Sequence, residues 1–325
     1  MTVYILRRTM QACVVVFLIT LLVFSGINLI GDPVDLLVTP DCDAACLDQA
    51  HQALGLDLPV HEQYFVFMGN LLTGDLGRSF VFGTPVGSLI LDRLPATLEL
   101  ALSAFFLTII CGIPLGLWAG LKPHSISGRT IMAGSILGFS LPSFWVGIIF
   151  IMFFGVELGW LPVNGRGQTV EIGGMHFSIF TLNGLAHIIL PAFNLALTQI
   201  ALVIRLTFSG VRETIFMDFI KFARAKGLSP FRVIFVHLLK NIVIPIVTVL
   251  GLELGGLLAY SLVTETVFSW PGLGKLLIDS INLLDRPVVV SYLTLVVIAF
   301  IVINLVVDIL YSVLDPRVRL QGAKA

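Results

Sequence analysis

The residues able to do chemistry are sparse in this sequence, and each has a structural alternative. Pro271-Gly272-Leu273-Gly274-Lys275 has the glycines and lysine of a phosphate-binding loop. It lacks the upstream glycine and the Ser or Thr after the lysine, which such a loop uses to cradle phosphates and hold magnesium. It therefore reads as a turn in a re-entrant or surface loop. Cys42 and Cys46 sit in the acidic stretch Asp-Cys-Asp-Ala-Ala-Cys, where an oxidising compartment would allow a disulfide. A metal site would need a second matching pair, which the sequence does not supply. Cys13 and Cys111 lie in apolar runs and read as small hydrophobes. No nucleophile–base set, paired catalytic carboxylates or four-ligand metal set is visible, so no catalytic or metal residue is expected.

What remains are polar groups inside apolar runs. An ionisable residue in lipid is costly and tends to face a cavity or a partner. Glu253 is the sharpest candidate for a translocation path, with Asn194, Gln199 and Asn304 beside it and His187 nearer an interface. A hydrogen bond to a neighbouring helix is the structural alternative for Glu253. Arg205 and Asp308 fall near the ends of their runs, where snorkelling or mutual pairing would suffice.

The elements holding these residues follow from composition. Hydrophobic residues make up 57% of the chain and charged ones 12%, with a mean hydropathy of +1.00. Soluble domains carry about 25% charge, so much of this surface must face lipid. The net charge of −1 gives no basic field for nucleic acid. Continuous apolar runs at 9–30, 97–121, 130–155, 185–206, 241–263 and 288–314 match the roughly 20 residues a bilayer-spanning helix needs, and they do not alternate as barrel strands would. The expected fold is all-α integral membrane with about six transmembrane helices. Pro114, Pro142, Pro191 and Pro245 fall in or near spans, where kinks are tolerated. The first run is too long for a cleaved leader and reads as a retained span.

Lysine and arginine set the orientation. With the N-terminus inside, fourteen of the nineteen fall on inside segments and five outside, which places both termini in the cytoplasm. The expected organisation is an N-terminus and first helix at 1–30, an extracytoplasmic segment at 31–96, a five-helix core at 97–314 and a cytoplasmic tail at 315–325. The outer segment contains an amphipathic stretch over 62–72, with Tyr64, Phe65, Met68, Leu71 and Leu72 at helical spacing. The second outer segment, 156–184, is glycine-rich and reads as a loop.

The inside segment 207–240 is the most informative. Gly227 suits the residue just past a helix end, where a left-handed conformation is needed. Ser229 can cap the next helix, with Pro230 at its first position. Two short helices joined by a tight turn are expected there, exposed and basic.

This loop, with Ala223-Arg224-Ala225-Lys226-Gly227, resembles the cytoplasmic coupling loop of ABC-importer permeases. Other stretches extend the resemblance in order: Ile30-Gly31-Asp32-Pro33, Leu54-Gly55-Leu56-Asp57, Gly74-Asp75-Leu76-Gly77-Arg78-Ser79 and Arg93-Leu94-Pro95-Ala96-Thr97-Leu98-Glu99-Leu100. Pro142-Ser143-Phe144-Trp145, Leu158-Gly159-Trp160-Leu161-Pro162, the run from Glu265 to Gly274, and Leu314-Asp315-Pro316-Arg317 continue it. Together they resemble the dipeptide, oligopeptide and nickel permease family, specifically the first of its two paired permeases. Two positions depart from the general coupling motif: Lys221-Phe222-Ala223 stands for Glu-Ala-Ala, and Lys240 for the closing proline, so no acidic contact to an ATPase is implied.

The resemblance implies a type I ABC-importer permease fold in the inner membrane. It implies a second homologous permease, two ATPase subunits carrying ATP and magnesium, and an extracytoplasmic solute-binding protein. This chain would bind no cofactor itself. Phe219, Ala223, Arg224, Ala225, Lys226, Gly227, Leu228, Ser229 and Pro230 would form the ATPase-coupling surface. Solutes of the family include dipeptides, longer peptides, glutathione and nickel chelates. A secondary transporter would show inverted repeats around an ion site, which the sequence lacks.

Overall fold

The computed structural model describes residues 2–27, 34, 38 and 43–314. Cys42, the tail 315–325 and the side chain of Asp308 lie outside the described residues. The chain is a bundle of long helices: α1 (Thr2–Ile27), α2 (Ala44–Leu54), α3 (Val60–Thr73), α4 (Val86–Leu121), α5 (Ile126–Ser140), α6 (Ser143–Glu157), α7 (Leu182–Thr214), α8 (Asp218–Ala225), α9 (Pro230–Val267), α10 (Leu273–Asn282) and α11 (Arg286–Leu314). Helices α4, α7, α9 and α11 are long and apolar enough to cross a membrane, and the bent pair α5/α6 makes a fifth crossing if counted as one. Within the described residues the apolar part of α1 is Cys13–Gly26.

Helix α7 is the axis. Of its most apolar window 67% is buried, against 33% in α4 and 28% in α9. Its N-terminus is fixed by Thr181, whose hydroxyl accepts from the Gly184 amide at 2.8 Å. Its most extensive neighbour is α4. Gly112, Gly116 and Gly120 let that helix approach Val203, Thr207 and Val211, where an added Cβ would come within 2.8, 2.6 and 2.7 Å of a side-chain carbon. The core joins Leu100 and Ala104 of α4 to Ile188, Ala192, Ala196 and Ile200 of α7, with Leu257 and Trp270 closing it.

Several elements differ from the sequence expectation. Helix α4 begins eleven residues before the apolar run, because Pro85 starts a helical segment that already includes Asp92 and Arg93. The third run is broken, not kinked: its two halves bend by 109°. Proline disfavours helical backbone in the residue before it, and Leu141 is accordingly extended at ψ 136°, as is Pro142 at ψ 131°. The last turns of α6, Ile151–Glu157, are π-helical.

Segment 156–184 holds a small hairpin, β1 (Val170–Ile172) antiparallel to β2 (Met175–Phe177). Gly173 and Gly174 both have positive φ, as a two-residue turn of this kind requires. In α3, Tyr64 is buried and its hydroxyl lies 3.0 Å from that of Thr20 on α1, while Phe65 and Leu72 face outward. The inside segment is shorter than 207–240, since α7 runs to Thr214 and α9 begins at Pro230.

Candidate translocation cavity and coupling surface

Two features stand out for function, a cavity lined by several polar side chains within the bundle and a protruding turn at one end. The cavity, about 540 Å³, opens where α5 breaks into α6. Phe139 and Ser143 flank the break, Thr198 and Gln199 come from α7, and Glu253, Tyr260 and Thr264 come from α9. The Gln199 side-chain amide donates to the Glu253 carboxylate at 2.8 Å. Asn194 sits behind this wall, donating to the Thr264 hydroxyl at 3.1 Å, with its own carbonyl oxygen buried and unpartnered.

Of the four path candidates, Gln199 and Glu253 thus share one wall and Asn194 supports it. Asn304 lies elsewhere. Its amide donates to the Phe300 carbonyl of its own helix at 2.9 Å, beside a separate apolar cavity. His187 hydrogen-bonds the Asn183 carbonyl at 2.8 Å near the start of α7, away from this wall. The Arg205 guanidinium lies 4.3 Å over the Phe139 ring, and its Nε is buried with no hydrogen-bond partner among the described residues, which do not include the Asp308 side chain.

The turn at the other end is built by local rules. Helix α8 buries Ile220 and Ala223 against Val233 and Leu238 of α9. It ends in a Schellman motif: the Gly227 amide donates to the Arg224 carbonyl at 2.9 Å and the Leu228 amide to that of Ala223 at 3.3 Å. Gly227 has φ +75° and open space around it. Ser229 accepts from the Arg232 amide at 3.4 Å, and Pro230 starts α9. Phe216, Phe222 and Phe231 are exposed on this knob. Lys226 lies over the Phe222 ring at 4.6 Å. Lys221, 2.9 Å from Asp218, holds that carboxyl below the usual aspartate range through its hydrogen bond.

Sequence reasoning missed a third feature, a set of buried polar staples at the opposite end from the knob. Glu99 accepts from Arg166 Nε at 2.9 Å, the Ser178 hydroxyl at 2.9 Å and amide at 2.6 Å, and the Ile179 amide at 3.2 Å. Glu265 accepts from Thr97 at 2.7 Å, Ser261 at 3.1 Å and the Lys275 amide at 3.0 Å. Thr97 in turn accepts from the Leu273 amide at 2.8 Å. The Trp270 indole donates to the Ala96 carbonyl at 2.9 Å, and Asp285 binds the Ser79 hydroxyl and the Phe80 amide. The available signal was that the quoted motifs around Thr97, Glu99 and Glu265 each hold a polar residue in apolar surroundings.

A helical membrane bundle with a cavity lined by several polar side chains and a protruding helical turn at one end defines a permease-type subunit. The chain belongs to the family described as the binding-protein-dependent transport system inner membrane component, matched over residues 112–320, with that component's N-terminal region matched over 1–101. The di/tripeptide transport system permease protein DppB of Pseudomonas aeruginosa (strain UCBPP-PA14) is 42% identical over 98% of this chain and 99% of the relative. The oligopeptide transport system permease protein AppB of Bacillus subtilis (strain 168) is 39% identical over 98% of this chain and 100% of its own. The glutathione transport system permease protein GsiC of Escherichia coli O6:H1 is 36% identical over 97% and 98%. Among solved structures, the inward-facing MetNI methionine ABC transporter shares the fold at TM-score 0.55 and 20% identity, over 70% of this chain and 96% of that one.

Proposed function

We propose that this chain is one of two paired permease subunits of an importer for short peptides. A solute-binding protein delivers the solute outside, and two separate ATPase subunits hold ATP and magnesium. The knob takes the ATPases' movement through Phe219 and the turn Arg224 to Pro230, while Ala223 packs beneath them against α9. The solute passes Gln199 and Glu253, with Asn194 supporting that wall. The observation that carries the reading is the continuity of α9, which starts at the knob with Pro230 and reaches Glu253 and Thr264 in the cavity wall without a break. Force applied to the turn therefore acts directly on the path.

The orientation belongs to the same proposal. Six spans put both termini and the knob in the cytoplasm, with 31–96 and 156–184 outside, and Cys42 and Cys46 joined there as a small local brace. Single-cysteine labelling of intact cells with an impermeant reagent should mark Gln49→Cys and spare Ser229→Cys. The reverse pattern overturns the orientation.

Peptide import is the substrate reading because the two relatives above of higher identity, at 42% and 39%, carry peptide names, and the glutathione name is carried at 36%. The complete complex, reconstituted with its binding protein, should import labelled di- and tripeptides only when ATP is supplied, and excess glutathione should not compete. In that assay Glu253→Gln should lower import severalfold while the complex assembles normally. A lower yield of complex would instead make Glu253 structural, and no change in either would refute both roles.

A further inference from the structure

Arg205 is an arginine within the bundle that the mechanism above leaves unused. It lies in a membrane-crossing helix, its Nε is buried, and among the described residues it meets no carboxylate. An arginine so placed, held only by a ring, presents a planar fork suited to a carboxylate from elsewhere. Its position on α7 is informative. Arg205 follows Thr198, a cavity residue, by seven positions, which puts it on the same helical face about 10 Å nearer the knob. Phe139, the ring on which it rests, is itself part of the cavity wall. At the other level stand Gln199 and Glu253, with the carboxylate oriented by the amide.

We propose that Glu253 and Arg205 form a two-point site for a linear zwitterion, the ammonium end at Glu253 and the carboxylate end at Arg205, with Phe139 as the leaf between them. This deepens the path reading above and rests on it. Extended chain spans about 3.3–3.6 Å per residue, so two levels about 10 Å apart along α7 suit the two ends of a tripeptide. The cavity's 540 Å³ lies within the roughly 300–1,000 Å³ usual for small-ligand sites; it holds the Glu253 end, and Arg205 lies just beyond its lining, next to Phe139. The Phe139 ring lies against the guanidinium at 4.3 Å, while a carboxylate binds along the guanidinium's N–H edge. The peptide then travels carboxylate end first toward the knob.

The test uses trialanine and the complete wild-type complex with its binding protein, reconstituted in liposomes. Trialanine analogues with photo-leucine at the first or the last position are crosslinked during turnover, and the adducts are mapped by mass spectrometry. The first-position label should fall on 253–260, and the last-position label on Phe139 and 202–205. Reversed or mixed labels within the cavity overturn the two-point site and leave the path reading standing. Labels entirely outside the cavity overturn both.

A second arm measures import. Arg205→Gln should lower the maximal rate for trialanine at least tenfold with the half-saturating binding-protein concentration unchanged, and Arg205→Lys should recover at least half the loss. Wild-type import by Arg205→Gln, or Arg205→Lys as impaired as Arg205→Gln, refutes the role of Arg205.

Discussion

The two ends of this molecule are built on opposite principles. At the staple end, carboxylates are buried and each accepts several hydrogen bonds from residues far away in sequence: Glu99 reaches Arg166 and Ser178, and Glu265 reaches Thr97 and Lys275. At the knob end, the hydrogen bonds are local and three phenylalanines, Phe216, Phe222 and Phe231, stay exposed. The first arrangement holds loops and helix ends together within one chain. The second leaves apolar surface for another. A rigid end and an end awaiting a partner are what a subunit needs if movement is to enter at one place and be resisted at another.

Substitutions at the two ends should therefore fail differently. The largest effect is expected for Arg166→Ala, which leaves the buried Glu99 without its charge partner. Breaking such a pair costs about 3–5 kcal/mol, read as a large drop in the melting temperature and yield of the detergent-purified complex. Thr97→Val removes a donor to Glu265 and the acceptor of the Leu273 amide. It should cost about 1–3 kcal/mol for each buried group left unpaired, seen by the same thermal measurement.

Gly227→Val shifts the effect from stability to coupling. The added side chain meets nothing within 4 Å, so the penalty is backbone strain at φ +75°, about 1–3 kcal/mol, confined to an exposed turn. Helix packing should hold, while the ATPases dissociate or hydrolyse ATP without import. A purified Gly227→Val complex that keeps its ATPases and transports at the wild-type rate would end the coupling role of this turn.

The smallest effect belongs to Asp218→Asn, which removes a fully exposed ion pair with Lys221. Because the folded-state carboxyl is held below its ordinary value, any contribution is complete above that value and fades only as pH falls through the lowered one. Thermal scans of the two proteins between pH 8 and pH 6 should superimpose.

The knob was legible in the sequence because its rules are short-range. Gly227, Ser229 and Pro230 act within five residues, and the turn forms as read. Membrane runs were legible because composition alone requires them. The early start of α4 was not, since Asp92 and Arg93 interrupt the apolar signal although the helix continues through them. The break at Leu141 was underestimated: a proline kink is common in membrane helices, and only the surrounding packing decides between kink and break. The staples were invisible for a different reason. Glu99 and Arg166 are separated by 67 residues, and no periodicity links them. For Arg205 the sequence suggests snorkelling or pairing with Asp308, and only the tertiary structure places Phe139 against it.

The seam of Gly112, Gly116 and Gly120 against Val203, Thr207 and Val211 works like the teeth of a spline. Each bare glycine receives a branched side chain, with no room for even one more carbon. Neither helix can roll without driving that branch into its neighbour's flanking residues, and sliding to the next matching notch means a four-residue step of about 6 Å. Two helices keyed in this way lose their independent degrees of freedom. Because α7 leads directly into the knob and α4 carries Thr97 and Glu99 into the staples, this seam joins the two ends of the molecule.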